Sequence, residues 1–293
     1  MATAELTGPA PTARRRRRTS IRPTSGPIGW LCVTWIVLIT LLAATANWLP
    51  IADPTAISSQ PNLRPGWRWD EPLGTDALGR SLLSRSIVGA QASLTVAFLA
   101  TAIAALVGLM FGLVVGYLGK FAGSAFDIVT SVMLAFPPLI LLIGIAAVLQ
   151  PSLTTVVIAL GLLGIPLIAR VSRASTMTLM GREFISAARV MGASPWRIML
   201  RDLLPNVVLP VLAVSMVMSA SFIVAEGSIS FLGLGIPPPT PSWGGMIADG
   251  RDQLARHPHT VFVPAAFFFL TVYSLNVIGE AAQRILGGRE SSL

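Results

Sequence analysis

Few side chains in this 293-residue chain are suited to covalent or acid–base chemistry. The only histidines, His257 and His259, flank Pro258, and the single cysteine, Cys32, lies inside an apolar run. A lone Cys forms no intrachain disulfide, and without CxxC or a His-rich pattern no metal-ligand set is expected. No polar segment pairs two carboxylates or sets a Ser beside a His, so the chain is not expected to be an enzyme and has no candidate catalytic residue. The phosphate-cradling pattern Gly-x-x-x-x-Gly-Lys-Ser/Thr is absent, so no cofactor is expected in this chain. One carboxylate stands out. Glu226 is the only charged residue between Asp202 and Asp249. A carboxylate in such a stretch must be paired, hydrogen-bonded or wet, which makes it a functional candidate. A structural or gating role suits it better than direct substrate contact; a hydrated position near lipid headgroups is the plainer reading.

The surroundings of that residue define the class. The chain is 53% apolar and 12% charged, with a mean hydropathy of +0.73, whereas soluble domains carry about 25% charged residues. The charges are also clustered. None occurs between Arg22 and Asp53, Arg85 and Lys120, Asp127 and Arg170, Asp202 and Glu226, or Arg256 and Glu280. About 20 apolar residues cross a bilayer core, so each gap holds one span and the gap after Asp127 holds two. The expected fold is all-α, a polytopic membrane protein of six transmembrane helices. The net charge is +8, but five of the positive residues form the run Arg14–Arg18. Beside a span, such a run reads as an anchor to anionic lipid, not as a nucleic-acid site.

The spans are placed as follows. Residues 1–27 are a disordered basic segment, and 28–49 are an uncleaved first span with Trp30 and Trp48 near its ends. Residues 50–90 form an extracellular or periplasmic connection. Within it, Leu78, Leu82, Leu83 and Ile87 share one side of a helix and Arg80, Ser81, Ser84 and Arg85 the other, which suits a helix lying on the membrane surface. Asp76 and Arg80, one turn apart, form a structural pair. A core of five further spans occupies 91–280: about 93–118, 128–148, 154–168, 207–230 and 264–279, followed by a tail, 281–293. Gly108, Gly112 and Gly116 recur every fourth residue, an interval that lets another helix approach closely. Pro137-Pro138 should kink the third span. Gly233 and Gly235, after the fifth span, supply unusual backbone angles at a mouth or simply a tight turn; His257 and His259 are expected on the surface. Residues 1–27 carry six Arg and one Glu, and 170–206 carry six Arg against Glu183 and Asp202, while the other connections are balanced. Positive loops stay inside, so both termini and 170–206 are assigned to the cytoplasm.

The segment 170–206 contains a helix, a turn and a second helix. Gly192 suits a left-handed helix end, Ser194-Pro195 an N-cap and first helical position, and Pro205 a stop before the next span. Ala187-Ala188 lower the first helix's surface enough for another protein to come near. On pattern alone, a helix resting on lipid headgroups fits equally well.

This segment resembles the cytoplasmic EAA loop of the permease subunits of bacterial ABC importers, whose pattern is E-A-A, three residues, Gly, nine residues, then I-x-L-P. Ala187-Ala188, Gly192 and Leu204-Pro205 match it; Glu183 lies four residues before Ala187, and Asp202 stands where the pattern has Ile. Leu73-Gly74-Thr75-Asp76-Ala77-Leu78-Gly79-Arg80 resembles the L-G-T-D-x-x-G-R-D segment of the C-type permeases of dipeptide, oligopeptide and nickel importers, with Ser81 replacing the final Asp. The run Glu226 to Gly235, with Pro237-Pro238 and Pro241-Ser242-Trp243-Gly244, is similar to that subfamily's fifth-span ending. The resemblance implies a type I importer permease in the inner membrane, with Glu183, Ala187, Ala188 and Gly192 coupling it to an ATPase and Glu226, Gly233 and Gly235 as gate or pathway candidates. It implies as partners a homologous permease, one or two ABC ATPase subunits that bind ATP and Mg, a substrate-binding protein and membrane lipid. Short peptides are the implied cargo, with chelated nickel, glutathione or sugars as alternatives. The rival from another class is an ATP-independent secondary transporter, which usually places acidic residues in several spans. Only Glu226 falls clearly in one here.

Overall fold

The computed structural model describes residues 26–66 and 68–290. Of the terminal segments read from sequence, residues 1–25 and 291–293 lie outside the described residues. The described chain is helical, with one isolated bridge between Thr75 and Ser81. Its elements are α1 (Pro27–Thr45), α2 (Leu82–Leu118), α3 (Lys120–Ala135), α4 (Pro138–Val148), α5 (Leu153–Met180), α6 (Glu183–Val190), α7 (Pro195–Arg197), a π-helical segment (Ile198–Leu203), α8 (Leu204–Phe231), α9 (Trp243–Gly250) and α10 (His259–Glu290). Among the described residues, five helices are long and apolar enough to cross a membrane, or six if the bent pair α3–α4 counts as one span.

That pair bends by 78°. Phe136 and Pro137 leave helical angles, and Pro138 opens α4, because two consecutive prolines supply no N–H to the preceding turn. Side chains of α5 hold α3 in place. Arg170 donates to Thr130 Oγ1 (3.0 Å) and Ser131 Oγ (2.7 Å), and Arg173 pairs with Asp127 while its guanidinium lies over the Phe126 ring.

The tightest seam joins α2 to α5. Gly108, Gly112 and Gly116 face Ile168, Ala169, Ser172 and Thr176: a Cβ on Gly108 would stand 2.8 Å from Ile168 Cβ, one on Gly116 2.7 Å from Thr176 Cβ, and one on Gly112 would overlap the Ala169 carbonyl. Ser172 Oγ donates to Leu109 O at 2.8 Å across the seam. In lipid, packing of small residues and interhelical hydrogen bonds replace the hydrophobic drive between helices. Gly112→Val therefore forces the helices apart and should cost about 1–3 kcal/mol, read as a lowered unfolding midpoint in detergent. An unchanged midpoint would mean the seam gives way easily.

Several boundaries differ from the sequence reading, each for a local reason. The amphipathic stretch at Leu78–Ile87 is not a separate helix at the membrane surface. Residues 76–79 form a turn, and the helix begins at Leu82, where Ser81 Oγ accepts from the Ser84 N–H (3.5 Å), and runs unbroken to Leu118. Its polar side turns inward, because the 50–81 connection supplies partners: Ser84 Oγ bonds to Ala52 O, and Arg85 Nη1 donates to Pro54 O at 3.1 Å. α5 continues to Met180, well beyond Ile168, and α10 extends past both ends of the expected last span. Pro205 does not stop a helix. The π segment shifts the hydrogen-bond register, so that the Leu204 N–H reaches Met199 O and Asn206 Nδ2 caps Asp202 O at 2.7 Å. The helix therefore passes Pro205 and continues to Phe231, consistent with π turns absorbing a local break in the ladder.

Candidate functional site

The elbow between α5 and α8 follows from its caps. At the end of α6, Gly192 adopts φ +78°, the Gly192 N–H donates to Arg189 O and the Ala193 N–H to Ala188 O, both at 3.0 Å. These bonds satisfy carbonyls that a helix end otherwise leaves open. Ser194 Oγ then accepts from the Arg197 N–H at 3.4 Å and α7 begins at Pro195.

The two sides of α6 differ in chemistry. Ile185 is fully buried, and with half-buried Ala188 it joins the main core containing Ile198, Met199 and Leu203. Glu183, Ala187, Val190 and Met191 lie on the opposite, open side, with Val190 89% and Met191 81% exposed. Phe184 and Trp196 extend the exposed apolar surface. The alanine pair is thus split: Ala187 faces outward and Ala188 packs inward. Ser186, which directly precedes the pair where the EAA pattern has its acidic residue, is exposed, as is Glu183 one turn earlier. The four elbow residues named from sequence therefore do different jobs: Glu183 and Ala187 are on the surface, Ala188 anchors, and Gly192 turns.

Glu226 lies far along the same helical rod. From Pro195 to Phe231 is 37 residues, or about 55 Å at the α-helical rise. Its side chain is fully buried. Ser230 Oγ donates to Oε1 at 2.7 Å and Ser93 Oγ to Oε2 at 3.2 Å. The Trp243 N–H donates to Ser93 Oγ at 3.3 Å, and Trp243 Nε1 to Ser86 O at 2.9 Å. The carboxyl thus joins α8 to α2 and, through Ser93, to the start of α9. In this conformation it lines no open path.

Gly233 and Gly235 are separate features. Gly233 is exposed at φ +79° and closes α8, with its N–H on Ser230 O (3.0 Å) and the Leu234 N–H on Ile229 O (2.9 Å). Gly235 is buried, and any Cβ there would overlap Ser230, the residue that donates to Glu226. Glu226 and Gly235 are therefore brought together through Ser230; Gly233 faces away as a turn. The histidines, expected on the surface, are half-buried, with His257 Nδ1 and His259 Nε2 enclosed and their rings 6.0 Å apart.

A second charged group was not expected from sequence. Arg85, with its side chain only 4% exposed, stands 3.5 Å from Asp76 and 3.9 Å from Asp249, while Asp76 holds Arg80 at 2.7 Å. Burial holds the Asp249 carboxyl above its ordinary value, an effect that Arg85 and Arg80 offset only in part. These residues line a cavity of about 330 Å³ with Met246 and Thr260. The i, i+4 spacing of Asp76 and Arg80 was a usable signal, but Arg85 and Asp249 are too distant in sequence to be paired by spacing. Among the described residues, no group of three or more His, Cys, Asp or Glu could hold a metal ion.

Comparison with known proteins gives a consistent picture. The profile of the family described as "Binding-protein-dependent transport system inner membrane component" matches residues 108–291. The chain is 34% identical over 272 residues to the di/tripeptide transport system permease protein DppC of Pseudomonas aeruginosa (strain UCBPP-PA14), covering 91% of this chain and 89% of that one. It is 35% identical over 252 residues to the glutathione transport system permease protein GsiD of Escherichia coli O6:K15:H31 (strain 536 / UPEC), covering 86% and 83%. A solved structure of the MetNI methionine ABC transporter in inward-facing conformations has the same fold, with a TM-score of 0.56 at 18% identity over 70% of this chain and 96% of that one.

Proposed function

Because the chain belongs to the binding-protein-dependent transport system inner membrane components, and is thus an ABC importer permease and a multi-pass membrane protein, we propose that it carries short peptides, that it forms the pore with a homologous permease, and that its elbow docks on a separate ATPase subunit. The observation that carries the docking reading is the two-sided α6: Ile185 fixes it to the bundle, and the open side presents Ala187, Val190 and Met191. A rigid, shallow, apolar surface of this kind suits a protein groove. ATP and its Mg bind the partner ATPase in this reading; an external substrate-binding protein delivers the cargo. Peptide cargo is supported by the name of the Pseudomonas relative, and the name of the Escherichia relative makes glutathione, itself a peptide derivative, the second cargo.

Both termini and the elbow are assigned to the cytoplasm, since counting α3–α4 as one span gives six crossings and puts the arginine-rich segments 1–27 and 170–206 on one side. A Ser186→Cys variant, made with Cys32→Ser so that it is the only thiol, is expected to react with an impermeant maleimide in inside-out vesicles and not in intact cells. The assembled transporter is expected to take up labelled di- and tripeptides with vanadate sensitivity. Labelling from outside would overturn the orientation and the docking with it; uptake indifferent to vanadate would favour the secondary-transporter reading.

A further inference from the structure

The elbow touches more than its own flanking helices. Arg189, on the last turn of α6, places its guanidinium 6.0 Å from the centroid of the Tyr117 ring and its Nη2 3.6 Å from the Met180 sulfur. Met180 is the last residue of α5, which leads directly into the elbow. Tyr117 belongs to α2, which is remote in sequence and runs 37 unbroken residues to Leu82. At the far end of α2 are the groups that hold the rest of the molecule's other face. The Leu82 N–H donates to Gly74 O at 3.0 Å, Arg85 reaches Pro54 O, Asp76 and Asp249, and Ser93 links Glu226 to the Trp243 N–H. Tyr117 and Arg85 are 32 positions apart on one helix, or about 48 Å. A helix held along its length by the small-residue seam with α5 moves as a rigid rod, so displacement at one end appears at the other.

We propose that Arg189 is a positioning residue through which the elbow grips α2, by its cation–π contact with Tyr117, and that α2 carries the elbow's movement to the polar cluster at its opposite end. This rests on the docking of the elbow on an ATPase. The chemistry suits the task. A guanidinium over a tyrosine face is an attraction that any aromatic ring and any cation can sustain, and it tolerates the sliding of a working joint better than a hydrogen bond of fixed direction. Coupling between distant sites requires an element that both ends bias, and α2 touches both, beside the α7–α8 rod that carries Glu226.

The test uses the complete transporter, with its partner permease, ATPase subunits and binding protein, in lipid nanodiscs. Hydrogen exchange is compared between the nucleotide-free state and the state trapped with ADP and vanadate, following peptides that contain the Leu82 and Trp243 amides. In the unmodified protein, trapping is expected to change exchange at both by about tenfold, a typical size for coupling between sites. Arg189→Ala and Tyr117→Leu should each remove most of that change while the complex stays assembled and still traps vanadate. Arg189→Lys and Tyr117→Phe, which keep a cation and a ring, should retain it. The double variant should be no worse than either single one, as expected for two groups acting through one contact. Four outcomes would overturn the relay: no change at the far end in the unmodified protein, a change that survives both variants, a loss in Arg189→Ala but not in Tyr117→Leu, or additive losses in the double variant. Failure of the unmodified chain to hold the ATPase at all would instead remove the docking on which the relay rests.

Discussion

Replacing Glu226 with Ala is expected to lower the stability of the purified protein by about 2 kcal/mol, because each hydrogen bond contributes about 0.5–1.5 kcal/mol and its loss strands buried partners. The carboxyl accepts from Ser230 and Ser93, and all three side chains are buried. Without it, Ser230 and Ser93 lose their acceptor, and Ser93 also loses the orientation in which it receives the Trp243 N–H. The damage should therefore spread to α9, whose Trp243 is wholly enclosed. Glu226→Gln is the informative companion. Its amide keeps one acceptor oxygen but brings an NH₂ against a serine that needs an acceptor, so it should recover only part of the loss. The measurement is the thermal midpoint in detergent, followed by Trp fluorescence. If Glu226→Ala matches the parent in stability while transport fails, the residue acts on substrate and not as a joint between helices.

Ala187→Arg is expected to abolish peptide uptake and to weaken association with the ATPase subunits by about a hundredfold or more, the scale on which truncation or disruption of a central interface residue acts. Ala187 is exposed, so the substitution leaves the fold of this chain alone. Its small side chain leaves the open side of α6 shallow between Glu183 and Met191; a long guanidinium there holds an approaching groove away and must shed its water to be covered. Ala187→Ser, nearly the same size, should behave as the parent. Co-purification of the ATPase with the tagged chain and uptake into proteoliposomes provide the two measurements. Full association with Ala187→Arg would mean that α6 lies beside the interface and not within it.

The elbow was the most legible part of the molecule, since its structure is set by neighbours in sequence. Gly192 takes the left-handed angle that a helix end requires, and Ser194-Pro195 start the next helix as such a pair does anywhere. The same holds for the bend at Pro137-Pro138 and for the Asp76–Arg80 pair. Amphipathic patterning, by contrast, misled at Ser84 and Arg85. A polar stripe states which side avoids lipid, but whether it meets water or another polar segment depends on what folds over it, and here the 50–81 connection supplies Ala52 O, Pro54 O and Asp76. Pro205 misled for a related reason: its missing N–H breaks an α-helix only if the register stays α, and the π segment and Asn206 repair the gap.

Sequence alone determined that the chain is a bundle of membrane helices, because unbroken apolar runs of about 20 residues satisfy their backbone in lipid as helices, and it determined the turn at Gly192 and the bend at Pro137-Pro138. Only the tertiary structure decided the partners of polar groups far apart in sequence. Ser93 and Glu226 are 133 positions apart and Arg189 lies 72 positions from Tyr117, and no periodicity carries information across such distances. Those pairings depend on which helices pack together, and in this chain the close fit of Gly108, Gly112 and Gly116 against α5 sets the first of those contacts.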